Sequence, residues 1–500
     1  MKLGALAQML PIVLGYGANL LATPFVVSNL GLANFGLWAV TGALAQYGVL
    51  LDLGIPRSVM RYVALYHSQE REAEERALIG AGIMVFIVVG CLLLSVPLLV
   101  PAKLSNLIGA QDVHLTRTLF ISSIIVFITG SLGAMLTGAS IGRGRIVAAS
   151  IGLALQRVAV VVGGIIAITV HPSLGQFAVG SAIGGSVGLA LVLLAILFDE
   201  HELRIGLPRL SALSGVIAFG LKSQAGMVCE LVLFQSGKVL AGIVIGPAAA
   251  GLYELGGRLA LGARALSASA IAVVTAHLTR SYALSGIAGI QRIYPRLVQT
   301  FTMVSNFVLL FVVATSYSLV PLWLGGGHAA VVGVVIVLSL TYALNVCTGV
   351  TTAAAVALNQ IGRIAIAQLV GAFLAVALAI PLAYLAGVTG ILIGVVLATV
   401  STAAIALILV HQGIDLPLTD FLGPITGPFI VGGVSTALAM PVGIIYLPAD
   451  RASAIGPFIC SAAIFCVVYA GLGWKFGYLP SLKGIGFSRG NRTTGLVGDS

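Results

Sequence analysis

Fourteen mostly apolar stretches, each about 20 residues or longer, follow one another along the chain with short polar turns between them. As an α-helix such a stretch rises ~30 Å, the thickness of a bilayer's hydrocarbon core. In lipid, every backbone N–H and C=O must find its partner within the segment, so each stretch is predicted to be helical. The period-2 alternation of a membrane β-barrel is absent. The expected spans are 5–29, 35–54, 78–99, 118–139, 147–169, 177–198, 215–245, 251–275, 297–320, 331–357, 365–386, 389–410, 425–447 and 456–474. The expected fold class is an all-α polytopic membrane protein.

Composition supports this reading. Charged residues make up 8% of the chain and hydrophobic residues 59%, whereas a soluble domain carries about 25% charge. So few charges cannot cover a water-facing surface. The 63 glycines suit helices whose backbones approach closely in lipid. The first 30 residues read as a retained helix, because the apolar run after Lys2 is too long for a signal-peptide core. All five cysteines, Cys91, Cys229, Cys347, Cys460 and Cys466, lie in apolar stretches without metal-ligand spacing and read as buried small hydrophobes. No cofactor or metal is expected.

The net charge of +10 does not point to nucleic acid, because no basic run is interleaved with aromatics. With the N-terminus inside, the inner turns hold 17 Lys and Arg and the outer turns 3, namely Lys103, Arg117 and Arg451. That split sets both termini in the cytoplasm of an inner or plasma membrane. The tail Gly484–Ser500 reads as disordered, and Asn491-Arg492-Thr493 as a glycosylation match with no meaning on that side. The polar insert around Tyr66–Ala77 reads as a solvated helix end. No phosphate-binding loop is present, so the chain is not expected to be a primary pump by itself.

The chain also resembles itself. Gly31-Leu-Ala-Asn-Phe-Gly36-Leu37-Trp38 follows span 1, and Gly246-Pro-Ala-Ala-Ala-Gly251-Leu252-Tyr253 follows span 7, at an offset of 215 residues. Ile141-Gly142-Arg143 and Ile361-Gly362-Arg363 occupy equivalent inner turns at offset 220, and Gly175 matches Gly390 at offset 215. The repeat is six helices, an even number, so both copies enter from the same side. They form a parallel repeat about an axis along the membrane normal, an architecture of secondary transporters. The expected organisation is a first lobe at 1–209, a second at 210–412, two further helices at 413–475 and a tail at 476–500.

Several of these residues carry a likeness to a known family. Phe35-Gly36-Leu37-Trp38, Tyr47-Gly48-Val49-Leu50-Leu51-Asp52-Leu53-Gly54-Ile55, Ser58 and Arg61-Tyr62-Val63-Ala64 resemble the start of Wzx-type polysaccharide flippases. These belong to the multidrug/oligosaccharidyl-lipid/polysaccharide (MOP) superfamily. Gly251-Leu252-Tyr253, Arg258-Leu259 and Trp323-Leu324-Gly325 resemble the second lobe. The resemblance implies two six-helix bundles in a V around a cavity. It also implies a lipid-linked sugar as substrate, carried across by alternating access with its diphosphate head in the cavity and its polyprenyl tail in lipid. It further implies membrane lipids as surroundings, glycan polymerases or glycosyltransferases as partners, and a monomer.

The candidate site residues are the charges at membrane depth. Such charges are costly and usually face a cavity or a partner. Lys238 lies ~12 Å of helical rise below the outer turn and Glu230 a further ~12 Å down. Glu254 and Arg258 are spaced i,i+4, the favourable order for a pair on one face. Arg157, Arg264 and Lys222 complete the set. With the resemblance, Lys238, Arg258 and Arg157 read as cations of a cavity for an anionic head, and Arg57 and Arg61 as its cytoplasmic mouth. The competing reading is salt bridges that only hold helices together. Asp52, Glu230 and Glu254 are candidates for coupling to protons or sodium, and Asp52 alternatively caps a helix or pairs with Arg57. Asn19, Asn306 and Asn345 read as interhelical glue. Gly180, Gly184 and Gly188 read as a packing strip, and Pro11, Pro24, Pro97, Pro381 and Pro441 as kinks.

Three functions compete. A lipid-linked oligosaccharide flippase fits fourteen helices and a basic lean. A multidrug or metabolite antiporter of the same superfamily would carry twelve helices and a carboxylate-lined cavity. A membrane enzyme acting on polyprenyl sugars would show a large external loop or clustered aspartates, and neither is present.

Overall fold

The computed structural model describes residues 2–199, 205–207 and 214–478. Arg204, Arg209, Lys483, Arg489, Arg492, the boundary at 209/210 and the tail from 479 onward lie outside the described residues, as does the side chain of Lys222. Sixteen α-helices are found among the described residues: α1 Lys2–Leu30, α2 Leu32–Gln46, α3 Ile55–Ser68, α4 Glu72–Leu99, α5 Pro101–Ile108, α6 Val113–Gly142, α7 Ile146–Val170, α8 Leu174–Asp199, α9 Ser214–Leu240, α10 Pro247–Ala268, α11 Ile271–Leu324, α12 Ala329–Cys347, α13 Gly349–Ala357, α14 Ile361–Gly413, α15 Thr419–Tyr446 and α16 Arg451–Lys475.

The long elements are not single crossings. Gly286 (φ 60°) breaks α11, and Ala386 with Gly387 (φ 58°) breaks α14. Residues 32–51 and α3 form one span bent by 43°. Leu53 and Gly54 make that bend with φ of 54° and 69°, a left-handed turn in which a helix cannot continue. Counting α12 with α13 as one span, and α10 with α11 up to its break as another, gives fourteen crossings, as the hydropathy predicted. Local chemistry sets several starts. Asp112 accepts the N–H groups of His114 and Leu115 before α6, and Asp450 forms a reciprocal cap with Ser453 before α16.

Two six-helix lobes and two added helices make up the fold. The first lobe, α1–α8, has a core that includes Ile55, Val63, Leu78, Phe86, Met135 and Ile196. Its α7 and α8 pack through the expected glycine strip. Gly180 lies on Gly163, Gly184 on Ala159 and Gly188 on Gln156, so closely that an added Cβ would strike the facing helix. The helices α15 and α16 pack on α11 of the second lobe, where Phe465 and Tyr469 meet Phe307 and the Tyr469 hydroxyl donates to the Met303 carbonyl at 2.6 Å.

The lobes meet along two seams. On the face opposite the N-terminus, α2 crosses α10 with almost no side chain between them. A Cβ on Gly36 would strike the carbonyl of Pro247, and one on Gly251 would strike the carbonyl of Leu32. Leu32 and Gly36 stand 215 residues before Pro247 and Gly251. The two contacts are therefore copies of one another, as a two-fold axis between repeats requires. The second seam lies toward the N-terminal face. There Gly54 packs against the Gly220 backbone, with an added Cβ only 2.7 Å from the Gly220 Cα.

Some expectations need correction. The chain beyond span 2 is not a loop but the helix α3, so Arg57 and Arg61 are helical. Glu75 is not solvated. Its side chain is 2% exposed, binds Arg143 and lies 3.6 Å from His67, so it ties α4 to α3 and to the α6–α7 turn. Of the cysteines, Cys229 and Cys347 are buried, but Cys91 and Cys460 face outward, where in lipid an apolar thiol needs no burial.

Candidate functional site

Helix α1 presents Pro11, Gly15, Asn19 and Thr23 at intervals of four, which puts them on one face. The Asn19 amide donates to the Gly15 carbonyl and the Thr23 hydroxyl to the Asn19 carbonyl, so polar atoms line this face without breaking the helix. Two arginines rest on it. Arg258 of α10 donates from Nη1 to Thr23 Oγ1 at 2.7 Å. Arg157 of α7 lays its stem over Gly15, where a Cβ would come within 2.8 Å of its Cδ, and donates to the Pro11 carbonyl at 3.2 Å.

Arg258 belongs to a three-charge cluster. Glu254 accepts from Lys238 Nζ at 2.9 Å and from Arg258 Nε at 2.8 Å. The i,i+4 pair is thus formed as its spacing predicts, and α9 brings a second cation to the same carboxylate. The three side chains are between 10% and 20% exposed, so each charge depends on its partners rather than on water. The Arg258 guanidinium also lies 4.8 Å from the Phe35 ring centre, a cation–π contact across the lobes. A small pocket opens beside it, lined by Asn19, Thr23, Phe35, Trp38, Ser181 and Arg258 among others. Trp38 meets Phe177 edge to face at 5.3 Å at its wall.

The remaining candidates lie elsewhere. Glu230 pairs with Arg264 at 2.9 Å, and Arg264 also reaches Asn345 at 3.5 Å and lies 4.1 Å over Phe234. This cluster sits within the second lobe. Asp52 is buried at the bend of the second span. Its Oδ1 accepts from the Gly54 N–H and from Gln224 Nε2 of α9, each at 2.9 Å. Gln224 also donates to the Val49 carbonyl. Asp52 therefore caps the bend and ties the lobes together, and its hydrogen bonds do not go to Arg57. Arg57 and Arg61 are exposed on α3, one turn apart, and Arg61 lies 5.9 Å from the Tyr62 ring.

Thr23 was not singled out in the sequence, although its four-residue spacing from Asn19 marks it. Lys238–Glu254 and Arg264–Glu230 join residues on different helices, and no spacing along one helix reveals them.

The polysaccharide biosynthesis protein family matches residues 3–276. No curated protein sequence matches the chain. Among solved structures, the chain is similar to an inward-facing multidrug-resistance MATE transporter of the MOP superfamily. The TM-score is 0.69 at 16% identity, covering 82% of this chain and 98% of that one. It is similar to the lipid II flippase MurJ in an inward closed conformation, with a TM-score of 0.65 at 16% identity, over 95% of this chain and 99% of the other. It is also similar to a MOP superfamily transporter from Pyrococcus furiosus, at 0.56 and 15% identity, over 82% and 95%.

Proposed function

This chain belongs to the polysaccharide biosynthesis protein family, and from that premise we propose that it is a flippase for lipid-linked oligosaccharides. It carries a sugar on a polyprenyl diphosphate from the cytoplasmic to the outer leaflet for cell-surface polysaccharide synthesis. It moves its substrate and does not transform it.

The observation that carries this reading is the cluster at Lys238, Glu254 and Arg258. Two cations share one carboxylate between the lobes, which leaves a net positive charge inside the membrane. Arginine and lysine bind phosphate well, and the planar guanidinium does so in bidentate fashion. A pocket for extruding cations needs the opposite balance, which disfavours the multidrug antiporter. Arg157 adds a further cation on the same face of α1. The seams at Gly36–Gly251 and at Gly54–Gly220 supply one closure on each side, which alternating access needs.

The charge split across the turns supports cytoplasmic termini in the cell membrane. Arg57 and Arg61 then stand at the cytoplasmic mouth. Glu230 is the carboxylate we favour for coupling to protons or sodium. Its side chain is 45% exposed and accepts from one cation, Arg264, whereas Glu254 is 14% exposed and shared by two cations, and Asp52 is buried under two donors. The lobe boundaries at 209/210 and 412/413, a monomeric state, and glycan polymerases or glycosyltransferases as partners belong to the same proposal.

The test is reconstitution of the purified protein with a fluorescent lipid-linked oligosaccharide, with reduction by a membrane-impermeant quencher reporting arrival in the outer leaflet. Protein-dependent flipping that is lost in Lys238→Ala supports the reading. Transport of an organic cation with no movement of the lipid-linked sugar overturns it in favour of the antiporter.

A further inference from the structure

The cluster and Arg157 stand too far apart to hold one phosphate group together. Arg258 meets α1 at the Thr23 hydroxyl, which rests on the Asn19 carbonyl, and Arg157 meets it at the Pro11 carbonyl, so the two contacts are about eight residues, or about 12 Å of helical rise, apart. A diphosphate spans only a fraction of that. The two cations also differ in how they are held. Arg258 and Lys238 share Glu254, while Arg157 has no carboxylate partner among the described residues and gives one hydrogen bond, to a main-chain carbonyl. A guanidinium carries five N–H donors, so most of those of Arg157 are uncommitted. Arg157 is exposed, and Val161, one turn further along the same face of α7, lines the pocket beside Arg258. Gly15 keeps this place open, because any side chain there would displace the arginine stem.

We propose that Arg157 is a second, separate stop for the anionic head group, so that the phosphate of the substrate steps along the Pro11–Thr23 face of α1 between Arg157 and the Lys238–Arg258 pair. This rests on reading the cavity as the path of a lipid-linked diphosphate. The charge balance fits stepping. Lys238 and Arg258 less Glu254 leave one positive charge at the first stop, and Arg157 supplies one at the second. Conduction requires sites that attract the ion but do not trap it, and two stops of equal charge meet that condition. The carboxylate of Glu254 thus keeps the doubly basic stop from becoming a sink.

The test uses the full-length protein in lipid nanodiscs, titrated with farnesyl diphosphate, with inorganic pyrophosphate and farnesol as separate arms. The wild type is expected to bind two equivalents of farnesyl diphosphate. Arg157→Gln and Gly15→Val are expected to bind one and to flip lipid-linked sugar roughly tenfold more slowly. Gly15→Val keeps the charge and only displaces it, so it stands in if Arg157→Gln fails to fold. Arg157→Gln keeps an N–H donor for the Pro11 carbonyl and removes the charge, so loss of the second equivalent in it is not what a purely structural bond predicts, and Arg157→Lys, which returns the charge, restores that equivalent. Pyrophosphate binding at both stops supports recognition of the phosphates, and farnesol binding alone overturns it. A single equivalent in the wild type, or two equivalents and unchanged flipping in both variants, overturns the second stop while leaving the Lys238–Arg258 site standing. No binding of either diphosphate by the wild type overturns the reading of the cavity itself.

Discussion

Trp323 donates its indole N–H to the carbonyl oxygen of Leu20 at 2.7 Å. That carbonyl is free because Pro24, four residues on, has no N–H to give it. A side chain of the second lobe therefore completes the backbone of a helix in the first. Trp323→Phe keeps the aromatic body and removes the donor. It is expected to lower stability by about 1 kcal/mol, the cost of losing a partly buried hydrogen bond. Pro24→Ala supplies the missing N–H, so the double variant should recover most of the loss. Melting temperatures of the four proteins in detergent would decide this, and additive losses would sink the explanation.

Lys238→Ala is expected to abolish flipping while the protein folds, because Glu254 keeps Arg258 as its partner. Glu254→Gln is different. It leaves two cations facing each other without a counter-charge, which is expected to cost about 3–5 kcal/mol. Adding Lys238→Met to Glu254→Gln removes one of those cations and should return part of that stability. Thermal unfolding with a parallel flipping assay separates the two effects. A Glu254→Gln protein as stable as the wild type would refute the shared ion pair.

Gly36 and Gly251 can each be replaced only by pushing α2 and α10 apart. Gly36→Val and Gly251→Val are expected to widen the far-side seam in the same sense, at about 1–3 kcal/mol each. The two effects should be sub-additive, because both act on one interface. Spin labels on the N-terminal ends of α2 and α10 would report the widening. Unchanged distances in either variant would contradict the close crossing.

Asp52 offers a test of its two roles. Asp52→Asn keeps an oxygen acceptor for Gly54 and Gln224 but cannot load a proton. Asp52→Ala loses the acceptor. A tie between lobes predicts that Asn retains transport within about twofold while Ala loses stability by ~1–3 kcal/mol. Loss of ion-driven transport in Asp52→Asn, with stability intact, would instead make Asp52 the coupling group.

What the sequence revealed was depth, and what it hid was direction. Hydropathy places a residue along the membrane normal, so the number of spans and the level of Lys238, Glu254 and Arg258 were readable. Period-four spacing on a single helix was also readable, which is why Glu254–Arg258 could be foreseen. Which way a helix face turns depends on packing against its neighbours. The Lys238–Glu254 and Arg264–Glu230 pairs, the burial of Glu75 and the Asp52–Gln224 tie all depend on that rotation. The bend at Leu53–Gly54 falls where the expected second span ends, and what stayed hidden was that a helix resumes beyond it, because Arg57 and Arg61 interrupt the apolar run there.

The reciprocal contact of Gly36 with Pro247 and of Gly251 with Leu32 bears on how such a chain arose. A contact that lies on a two-fold axis is complementary to itself, so a six-helix half carrying this turn pairs with an identical copy through the same surface. Both termini of a half with an even number of helices lie on one side, so joining two copies end to end leaves that pairing intact. Fusion of a duplicated gene would have preserved an existing homodimer rather than created a new interface, and freed each half to diverge. The charges show the divergence: Lys238, Glu254 and Arg258 come from the second half, whereas the first half contributes the helix face on which they act.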